Sequence, residues 1–311
     1  MIAVVAPCFN EGKTVITFLR RLEKILSVVE DDFYVVIVDD CSQDDTLSLL
    51  SSFQFDLPNV GFDILHLKFN VGQQGAIFQG LLYVASMKAE HTIVMDCDGE
   101  DDPYVIPQLL QKKEYDIVTV KRGKRSEGVF FRFFYGLYKL LFRFVTGKSI
   151  DFGNYSMISK QVLERIKLTS FIHFPAYLLK QKASKSRIIC NREKRIDGHS
   201  KMGNKGLLMH AFKSMIEFGE DLLLLFLRLF VILSIGFVIT LGNIIYQKFI
   251  AHTAILGWFS TLAISLVILA VVCIGFFVIG ILLLNLLHQQ NSQAYKEIYT
   301  VVKKNRHEFI H

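Results

Sequence analysis

Two long runs without a charged residue lie in the C-terminal third of the chain. Residues 258–287 form a run of 30 uncharged residues, and residues 229–247 form a run of 19. A helix needs roughly 20 apolar residues to cross a hydrocarbon core about 30 Å thick. A buried core helix is the alternative, but such a helix rarely runs this far without a charge. We therefore predict a membrane domain over residues 216–311, with spans at about 224–247 and 258–287 and a cytosolic tail.

The charged residues are concentrated before these runs and predict how the chain is oriented. Residues 1–220 contain 29 of the 35 Lys and Arg residues and 26 of the 29 Asp and Glu residues, as expected for a water-facing domain, predicted over residues 1–215. Between the spans, residues 248–257 contain one Lys, whereas the tail contains Lys296, Lys303, Lys304 and Arg306. Basic residues favour the cytoplasmic side. We expect an integral protein of a bacterial inner membrane or its equivalent, with the catalytic domain and both termini cytoplasmic.

Short apolar segments alternate with amphipathic ones over the first 120 residues. This alternation predicts an α/β fold, with a Rossmann-like, mostly parallel sheet covered by helices on both faces. The predicted strands are Ile2–Ala6, Tyr34–Val38, Phe62–Leu67, Thr92–Met95 and Ile117–Val120. The predicted helices are Thr14–Val29, Asp45–Phe53, Gln74–Met87 and Tyr104–Lys112.

Polar, acidic or glycine-rich segments directly follow four of the predicted strands. In open parallel sheets, ligands bind outside the carboxyl ends of the strands. We therefore expect these segments to meet at one rim and form a ligand site. They are Pro7–Gly12, Asp39–Thr46, Asn70–Gly75 and Asp96–Pro103.

Asp96 and Asp98 stand two residues apart at a predicted strand end. Mg²⁺ and Mn²⁺ prefer oxygen ligands and commonly combine one or two carboxylates with substrate phosphates. We therefore predict that this pair binds Mg²⁺ or Mn²⁺ together with a diphosphate. Asp39 and Asp40 could accept hydrogen bonds from a nucleobase and ribose, or could serve as a turn and helix cap. The backbone N–H groups around Gly72 could contact phosphate, or form only a turn.

A basic and aromatic segment follows the predicted sheet, over residues 130–148. Arg132, Lys139 and Arg143 are seven and four positions apart, so they share one helical face. This pattern favours an amphipathic helix at the bilayer interface, with a core helix of the soluble domain as the alternative. Residues 207–218 could form a second such helix leading into the first span.

Five motifs in order resemble the family-2 inverting glycosyltransferases of the A-type fold. The resemblance is strongest to the branch of dolichol-phosphate mannose synthase and bactoprenol glucosyltransferases, and it covers roughly residues 2–215. Pro7–Gly12 is similar to the P-x-[YF]-N-E opening of that family, and Asp39–Thr46 to its D-D-x-S-x-D-x-T. Asn70–Leu81 and Asp96–Pro103 are similar to its N-x-G-x-x-x-A-x-x-x-G-L and D-x-D-x-Q-D-x-P. Residues 192–201 are similar to its late R-x-x-G-x-S-K element.

The resemblance implies a role for several residues at the rim. Nucleotide-sugar binding is expected of Pro7, Asn10, Glu11, Asp39, Asp40, Gly72 and Asp96. Metal ligation is expected of Asp96, Asp98 and Glu100, where Glu100 replaces a common Gln. Asn154 stands where many relatives carry an Asp discussed as a base.

A lipid monophosphate as acceptor would lessen the need for a base. Such a phosphate is already anionic near neutral pH, because its second pKa is about 6. It needs positioning and charge compensation more than deprotonation. The residues expected to bind this phosphate are Arg122, Arg125, Arg132, Arg195, Ser200 and Lys201. Among catalytic residues we expect Asp98, Arg122 and Arg125, with Asp151 as a candidate acid or base.

The sequence thus predicts an enzyme that transfers a sugar from a UDP- or GDP-sugar to a polyprenyl (undecaprenyl or dolichyl) phosphate, with inversion and a divalent metal. Transfer to another membrane lipid, such as a diacylglycerol or a ceramide, stays open, as does an inactive membrane scaffold. Neither G-x-G-x-x-G nor G-x-x-x-x-G-K-[ST] occurs, which argues against dinucleotide redox chemistry and P-loop hydrolysis. No nucleic-acid partner is expected, and the apolar spans could support a homo-oligomer.

Overall fold

The computed structural model describes residues 1–122, 129–190, 204–251, 257–291 and 298–305. The chain divides into two compact units. The first comprises residues 1–139, 149–217 and 296–311, and the second comprises residues 140–148 and 218–295.

The first unit is built on an eight-stranded sheet in the order β7-β5-β6-β4-β1-β2-β3-β8. Strands β6 and β8 run antiparallel to their neighbours, and the remaining pairs are parallel. The prediction of a mostly parallel α/β sheet is therefore confirmed. The strands are β1 Ile2–Cys8, β2 Phe33–Asp39, β3 Val60–Leu67, β4 His91–Val94, β5 Ile117–Arg122, β6 Ser156–Ser159, β7 Lys185–Cys190 and β8 Tyr299–Asn305.

Helices connect most of the strands, and those over the first 110 residues follow the predicted segments. A short 3-10 helix, Pro103–Val105, precedes α4. The helices are α1 Val15–Leu26, α2 Thr46–Ser52, α3 Gly72–Ala85, α4 Ile106–Leu110, α5 Val129–Thr146, α6 Lys160–Leu168, α7 Phe174–Lys180, α8 Asn204–Ile216, α9 Gly219–Phe249 and α10 Trp258–Asn291. A helix is thus present at the predicted interfacial segment, and its position at a bilayer stays a prediction.

The two central strands β1 and β2 are almost entirely apolar, as expected where helices cover both faces of the sheet. Every residue of β1 and β2 is buried, as is typical of parallel strands between two helical layers. Helix α1 buries one apolar stripe, including Phe18, Leu22 and Ile25, while α3 packs close to β1 and β2 at Gly80. The rigid sheet that results places the ends of β1 to β4 along one rim.

Strand β8 lies beyond both apolar runs and is not among the predicted strands. It pairs antiparallel with β3, and the N–H of Lys68 donates to the carbonyl of Ile298 at 2.9 Å. The ring of Tyr299 packs edge-on against Tyr83 with 5.6 Å between centroids. The chain therefore returns to the sheet of the first unit after α10.

The second unit contains the two long apolar helices, α9 and α10. The most apolar 18-residue window within residues 219–247 has a mean hydropathy of 2.8, and that within residues 261–283 has one of 3.3. No residue of the first window is buried, and 11% of the second window is buried. The rings of Phe226 and Phe276 pack with centroids 5.6 Å apart. Both helices are long and apolar enough to cross a membrane, and their exposure is unlike that of the core helix of a soluble protein.

Candidate active site

A cavity of about 330 Å³ opens at the carboxyl ends of β1 to β4. All four polar segments that follow the predicted strands contribute to it, so the expectation of a shared rim agrees with the structure. The lining residues are Pro7, Cys8, Phe9, Glu11, Asp40, Asn70, Gly72, Gln73, Asp96, Cys97 and Asp98.

Asn10 joins two loops of the rim and does not line the cavity. Its N–H donates to Ser42 Oγ at 2.9 Å, and its Oδ1 accepts from the N–H of Gln43 at 2.8 Å. Its φ of 53° lies in the left-handed region, which Asn tolerates better than most residues. The structure thus gives Asn10 a loop-joining role, whereas Glu11, next in the chain, is buried on the cavity wall.

The adjacent carboxylates Asp39 and Asp40 have different environments. Asp39 is fully buried, and its Oδ2 lies 2.7 Å from His66 Nδ1. Asp40 lines the cavity, and its Oδ1 accepts from the N–H of Val71 at 2.7 Å. Asn70 Nδ2 also donates to the Asp40 carbonyl at 3.1 Å. Of the two, Asp40 is therefore the carboxylate that can reach a ligand, whereas Asp39 is held by His66.

Burial raises the pKa of the Asp40 carboxyl above its ordinary value. The N–H groups of Val71 and Gly72 act in the opposite direction, and the charge of Asp39 adds to the increase. A raised folded-state pKa means that the folded protein binds this proton more readily than the unfolded chain does. The ionised form therefore costs stability, and this cost grows as the pH rises through the folded-state pKa.

Asp40→Asn is expected to raise the melting temperature at pH 7, because the amide removes the buried charge while its oxygen can still accept from Val71. The gain should shrink as the pH falls toward the ordinary Asp pKa of about 4. Affinity for the nucleotide-sugar donor expected from the sequence should fall about tenfold, since hydrogen bonds to a neutral acceptor are weaker. Thermal unfolding at several pH values and nucleotide titration measure both effects.

The matched control for this substitution is Asp56→Asn, whose side chain is 84% exposed. It should change neither the melting temperature nor donor affinity. An Asp40→Asn protein less stable than the wild type at pH 7 would contradict the assigned cost of burial.

Asp96 and Asp98 both reach the cavity from the loop after β4. Asp96 Oδ1 accepts from Gln73 Nε2 at 2.7 Å and from Asn154 Nδ2 at 3.2 Å. Asp98 Oδ1 accepts from the N–H of Glu100 at 2.9 Å, across a turn in which Gly99 has a φ of 83°. The structure thus brings together the two carboxylates that the sequence analysis assigned to a metal.

Glu100, the third predicted metal ligand, is buried and is not part of the cavity wall. Among the residues that the structure describes, no group of three His, Cys, Asp or Glu side chains is arranged to hold a metal. Two carboxylates facing one cavity nonetheless fit a Mg²⁺ or Mn²⁺ ion whose other ligands are phosphate oxygens and water. The metal-binding role of Glu100 stays a prediction, because Glu100 does not line the cavity.

All the charged side chains that line the cavity, among the described residues, are acidic. Four of its lining residues are carboxylates, Glu11, Asp40, Asp96 and Asp98, and no Lys or Arg lines it within the described part of the chain. Carboxylates facing one another repel a phosphate unless a cation neutralises them. A phosphate-bearing ligand at this site therefore requires a bound cation or basic side chains from elsewhere.

Asp151 lies between two basic side chains and outside the cavity lining. Its Oδ2 is 2.8 Å from Lys121 Nζ and 3.0 Å from Arg187 Nη1. These contacts favour a carboxylate that holds two strands together, and its predicted acid–base role stays a prediction. Arg122 ends β5 and Arg132 lies in α5, but their side chains are outside what the structure describes, as are Arg125, Arg195, Ser200 and Lys201 entirely.

Gln73, which lines the cavity and contacts Asp96, is not among the predicted site residues. The signal was available, because Gln73 stands inside the polar segment that follows β3. His66 is not among the predicted site residues either, because its contact with Asp39 joins two strands and leaves no local pattern in the sequence.

Comparison with known proteins identifies the family. The model of glycosyl transferase family 2 matches residues 3–173, more than half of the chain. The chain is a family-2 glycosyltransferase. The resemblance seen in the sequence motifs is thereby confirmed.

Two curated relatives of this glycosyltransferase differ in how far the match extends. An uncharacterized glycosyltransferase of Bacillus subtilis, YkcC, is 24% identical over 89% of this chain and 87% of its own. The undecaprenyl-phosphate 4-deoxy-4-formamido-L-arabinose transferase of Pseudomonas fluorescens Pf0-1 is 31% identical over 49% of this chain. This second match spans only 44% of that relative's length, so its activity does not transfer to this chain by similarity alone.

Solved structures support the fold of the glycosyltransferase. The glucosyl-3-phosphoglycerate synthase of Mycobacterium tuberculosis, crystallised with Mn²⁺, UDP and phosphoglyceric acid, superposes with a TM-score of 0.53. The superposition covers 71% of this chain and 78% of that one at 14% identity. The A-type glycosyltransferase fold expected from the sequence is thus confirmed.

Proposed function

We propose that this glycosyltransferase moves a sugar from a UDP- or GDP-sugar to a polyprenyl phosphate, with inversion, at the cytoplasmic face of a membrane. The observation that carries the proposal is the acidic cavity, in which Asp40 faces the same space as Asp96 and Asp98. One side of this space suits a nucleoside, and the other suits a diphosphate paired with a cation.

The donor half of the proposal rests on the charge of the cavity. A nucleoside diphosphate entering beside four carboxylates needs a bound cation or basic side chains to offset their charge, and we assign this role to a divalent cation. Asp96 and Asp98 are the residues that would hold Mg²⁺ or Mn²⁺, and the bound ion supplies charge neutralisation for the departing diphosphate. The mycobacterial synthase of the same fold was crystallised with both Mn²⁺ and UDP, which supports this assignment.

The transfer is a single displacement at the anomeric carbon of the sugar. An oxygen of the acceptor phosphate forms the new bond, while the bond from that carbon to the donor diphosphate breaks and its electron pair leaves with the nucleoside diphosphate. Asp40 and Glu11 hold the nucleoside end so that the anomeric carbon is presented to the acceptor, and such positioning lowers the barrier. The acceptor phosphate is anionic near neutral pH, so the step requires no proton transfer.

The acceptor half of the proposal rests on basic residues and on the apolar helices. Arg122 and Cys190 are paired neighbours at the ends of β5 and β7, and the sequence after each strand is rich in Lys and Arg. Lys121 and Arg187 add positive charge on the same two strands. A relative named for undecaprenyl phosphate and two helices long enough to cross a membrane support a lipid phosphate as acceptor.

The position of β8 supports the proposed topology. Residues before α9 and the strand β8 after α10 belong to the same sheet-containing unit. A sheet lies wholly on one side of a membrane, so the chain must cross an even number of times between residues 217 and 299. Two crossings by α9 and α10 satisfy this requirement, and the basic tail favours the cytoplasmic side.

The deciding experiment incubates the purified full chain with undecaprenyl phosphate and individual UDP- and GDP-sugars, with mass analysis of the lipid product. One donor is expected to yield a lipid-linked monosaccharide with Mg²⁺ or Mn²⁺ present and none with excess chelator. Parallel reactions contain diacylglycerol or ceramide in place of the polyprenyl phosphate. Product only with those lipids would overturn the proposed acceptor, and no turnover of any donor would favour an inactive scaffold.

A further inference from the structure

Two side-chain amides converge on one oxygen of Asp96. Gln73 Nε2 donates to Asp96 Oδ1 at 2.7 Å, and Asn154 Nδ2 donates to the same atom at 3.2 Å. Gln73 comes from the first turn of α3, whereas Asn154 precedes β6, so the two donors approach from different elements. Two donors on one oxygen restrict the rotation of the carboxylate.

A second layer fixes the orientation of Asn154. The N–H of Phe174 donates to Gln74 Oε1 at 2.6 Å, and Gln74 Nε2 donates to Asn154 Oδ1 at 3.1 Å. Gln74 and Asn154 are both buried. A backbone N–H can only donate, so Gln74 must accept there with its oxygen and donate with its nitrogen. Asn154 must then accept with its oxygen, which turns its NH₂ group toward Asp96.

This chain of donors gives a physical reason for an amide at residue 154. An ionised Asp at this position could still accept from Gln74, but it would have no hydrogen to donate to Asp96. It would instead place a second negative charge about one hydrogen-bond length from the first. Asn154 also has both polar atoms engaged, and an amide does not take up a proton near neutral pH. Its geometry is that of a side chain that orients a neighbour.

We infer that Gln73 and Asn154 are positioning residues that hold the Asp96 carboxylate in the orientation needed to bind the divalent cation. The inference rests on the proposed metal-dependent function and adds to it the residues that set the affinity for the metal. Hydrogen bonds to metal-binding carboxylates typically contribute 10- to 100-fold to metal affinity or activity. Each amide is thus expected to change metal affinity through Asp96, without itself binding the metal.

The test compares Gln73→Met and Asn154→Leu, which remove the donors while nearly preserving side-chain size. Binding of Mn²⁺ to the full chain in detergent is followed by electron paramagnetic resonance, with UDP and, separately, with GDP present. Each variant is expected to bind Mn²⁺ about tenfold more weakly. In assays, the Mn²⁺ concentration for half-maximal rate should rise more than kcat falls.

Gln79→Met is the matched control for Gln73→Met. Gln79 lies on the same helix and is buried, but it does not line the cavity. This variant should bind Mn²⁺ as the wild type does. Gln73 is only partly buried, so its variant should fold even if Asn154→Leu does not.

The outcomes separate this inference from the function on which it rests. If the wild type binds Mn²⁺ and the folded Gln73→Met variant binds it with the same affinity, the positioning role is wrong. The metal-dependent function would be unaffected by that result. A wild-type protein that binds no Mn²⁺ with either nucleotide would overturn the metal-dependent function itself.

Discussion

Asp98→Asn is expected to lower the rate of sugar transfer by about 100- to 1,000-fold. The amide can still accept the hydrogen bond from Glu100, so the turn should keep its shape. The substitution removes one of the two charges that would hold the metal beside the departing diphosphate. Losing one such electrostatic interaction in an active site typically costs about 3–4 kcal/mol of transition-state stabilisation. Initial rates at saturating donor and acceptor, over a range of Mn²⁺ concentrations, measure the effect.

The control is Asp102→Asn, the same change four residues further along the same loop. Asp102 caps the short 3-10 helix by accepting from the N–H of Tyr104 at 3.0 Å, and Asn caps helices equally well. It does not line the cavity, so activity and stability should match the wild type. An Asp98→Asn enzyme with full activity, insensitive to chelator, would show that the reaction needs no metal at this site.

Gly80→Ala is expected to destabilise the first unit by about 2 kcal/mol, within the usual cost of overpacking a core. A Cβ at this position would lie 2.5 Å from Val5 Cγ1 and 2.8 Å from Val38 Cγ2. Both valines belong to central strands that are buried along their whole length, so neither can move away cheaply. Helix α3 would have to shift off the sheet, and its first turn carries Gly72 and Gln73 to the cavity. Chemical or thermal unfolding measures the loss, and donor titration should show weaker binding.

Gly136→Ala provides the opposite case on helix α5, where a Cβ would meet no atom within 4 Å. Alanine favours a helix over glycine by up to about 1 kcal/mol, so this variant should be as stable as the wild type or more so. Equal effects of the two substitutions would mean that helix propensity, and not contact with the sheet, decides the result at Gly80. Adding Val5→Ala to Gly80→Ala should recover part of the lost stability, because it removes the nearer of the two clashing methyl groups.

The first five strands and the helices between them could be predicted because each carries its own local pattern. Strand β2, predicted as Tyr34–Val38, is found as Phe33–Asp39, and α3, predicted from Gln74, begins at Gly72. The predicted helix over residues 104–112 proved shorter, since a 3-10 turn occupies Pro103–Val105. Proline fixes the backbone of that first turn but lacks the N–H group that would extend hydrogen bonding.

The later strands could not be predicted because their pairing depends on distant partners. Strands β6 and β7 are short and are recognisable only beside β4 and β5. Strand β8 pairs with β3 across more than 230 residues of sequence, as the contact between Thr300 and His66 shows. No pattern of apolar and polar residues within residues 299–305 indicates that this strand pairs with β3.

Much of the site follows from sequence order, but the division of work among its residues does not. The pattern of acidic residues after each strand located the rim, because parallel strands bring their carboxyl ends to one edge. It did not separate buried Asp39 from cavity-lining Asp40, since adjacent residues of a strand end point in opposite directions. The same pattern also did not show that Asp98 lines the cavity whereas Glu100 is buried away from it.

By itself, the sequence determined the class of this protein: a glycosyltransferase sheet followed by two apolar helices. Each of these properties depends on residues that are near one another in the chain, and the periodicity and hydropathy of such residues predict it. Only the tertiary structure decided what surrounds Asp96. Its amide partner Asn154 is 58 residues away, and Gln74 and Phe174, which orient that amide, are 100 residues apart. Hydrogen bonds are directional and short in range, so they exist only once folding has brought such distant groups together.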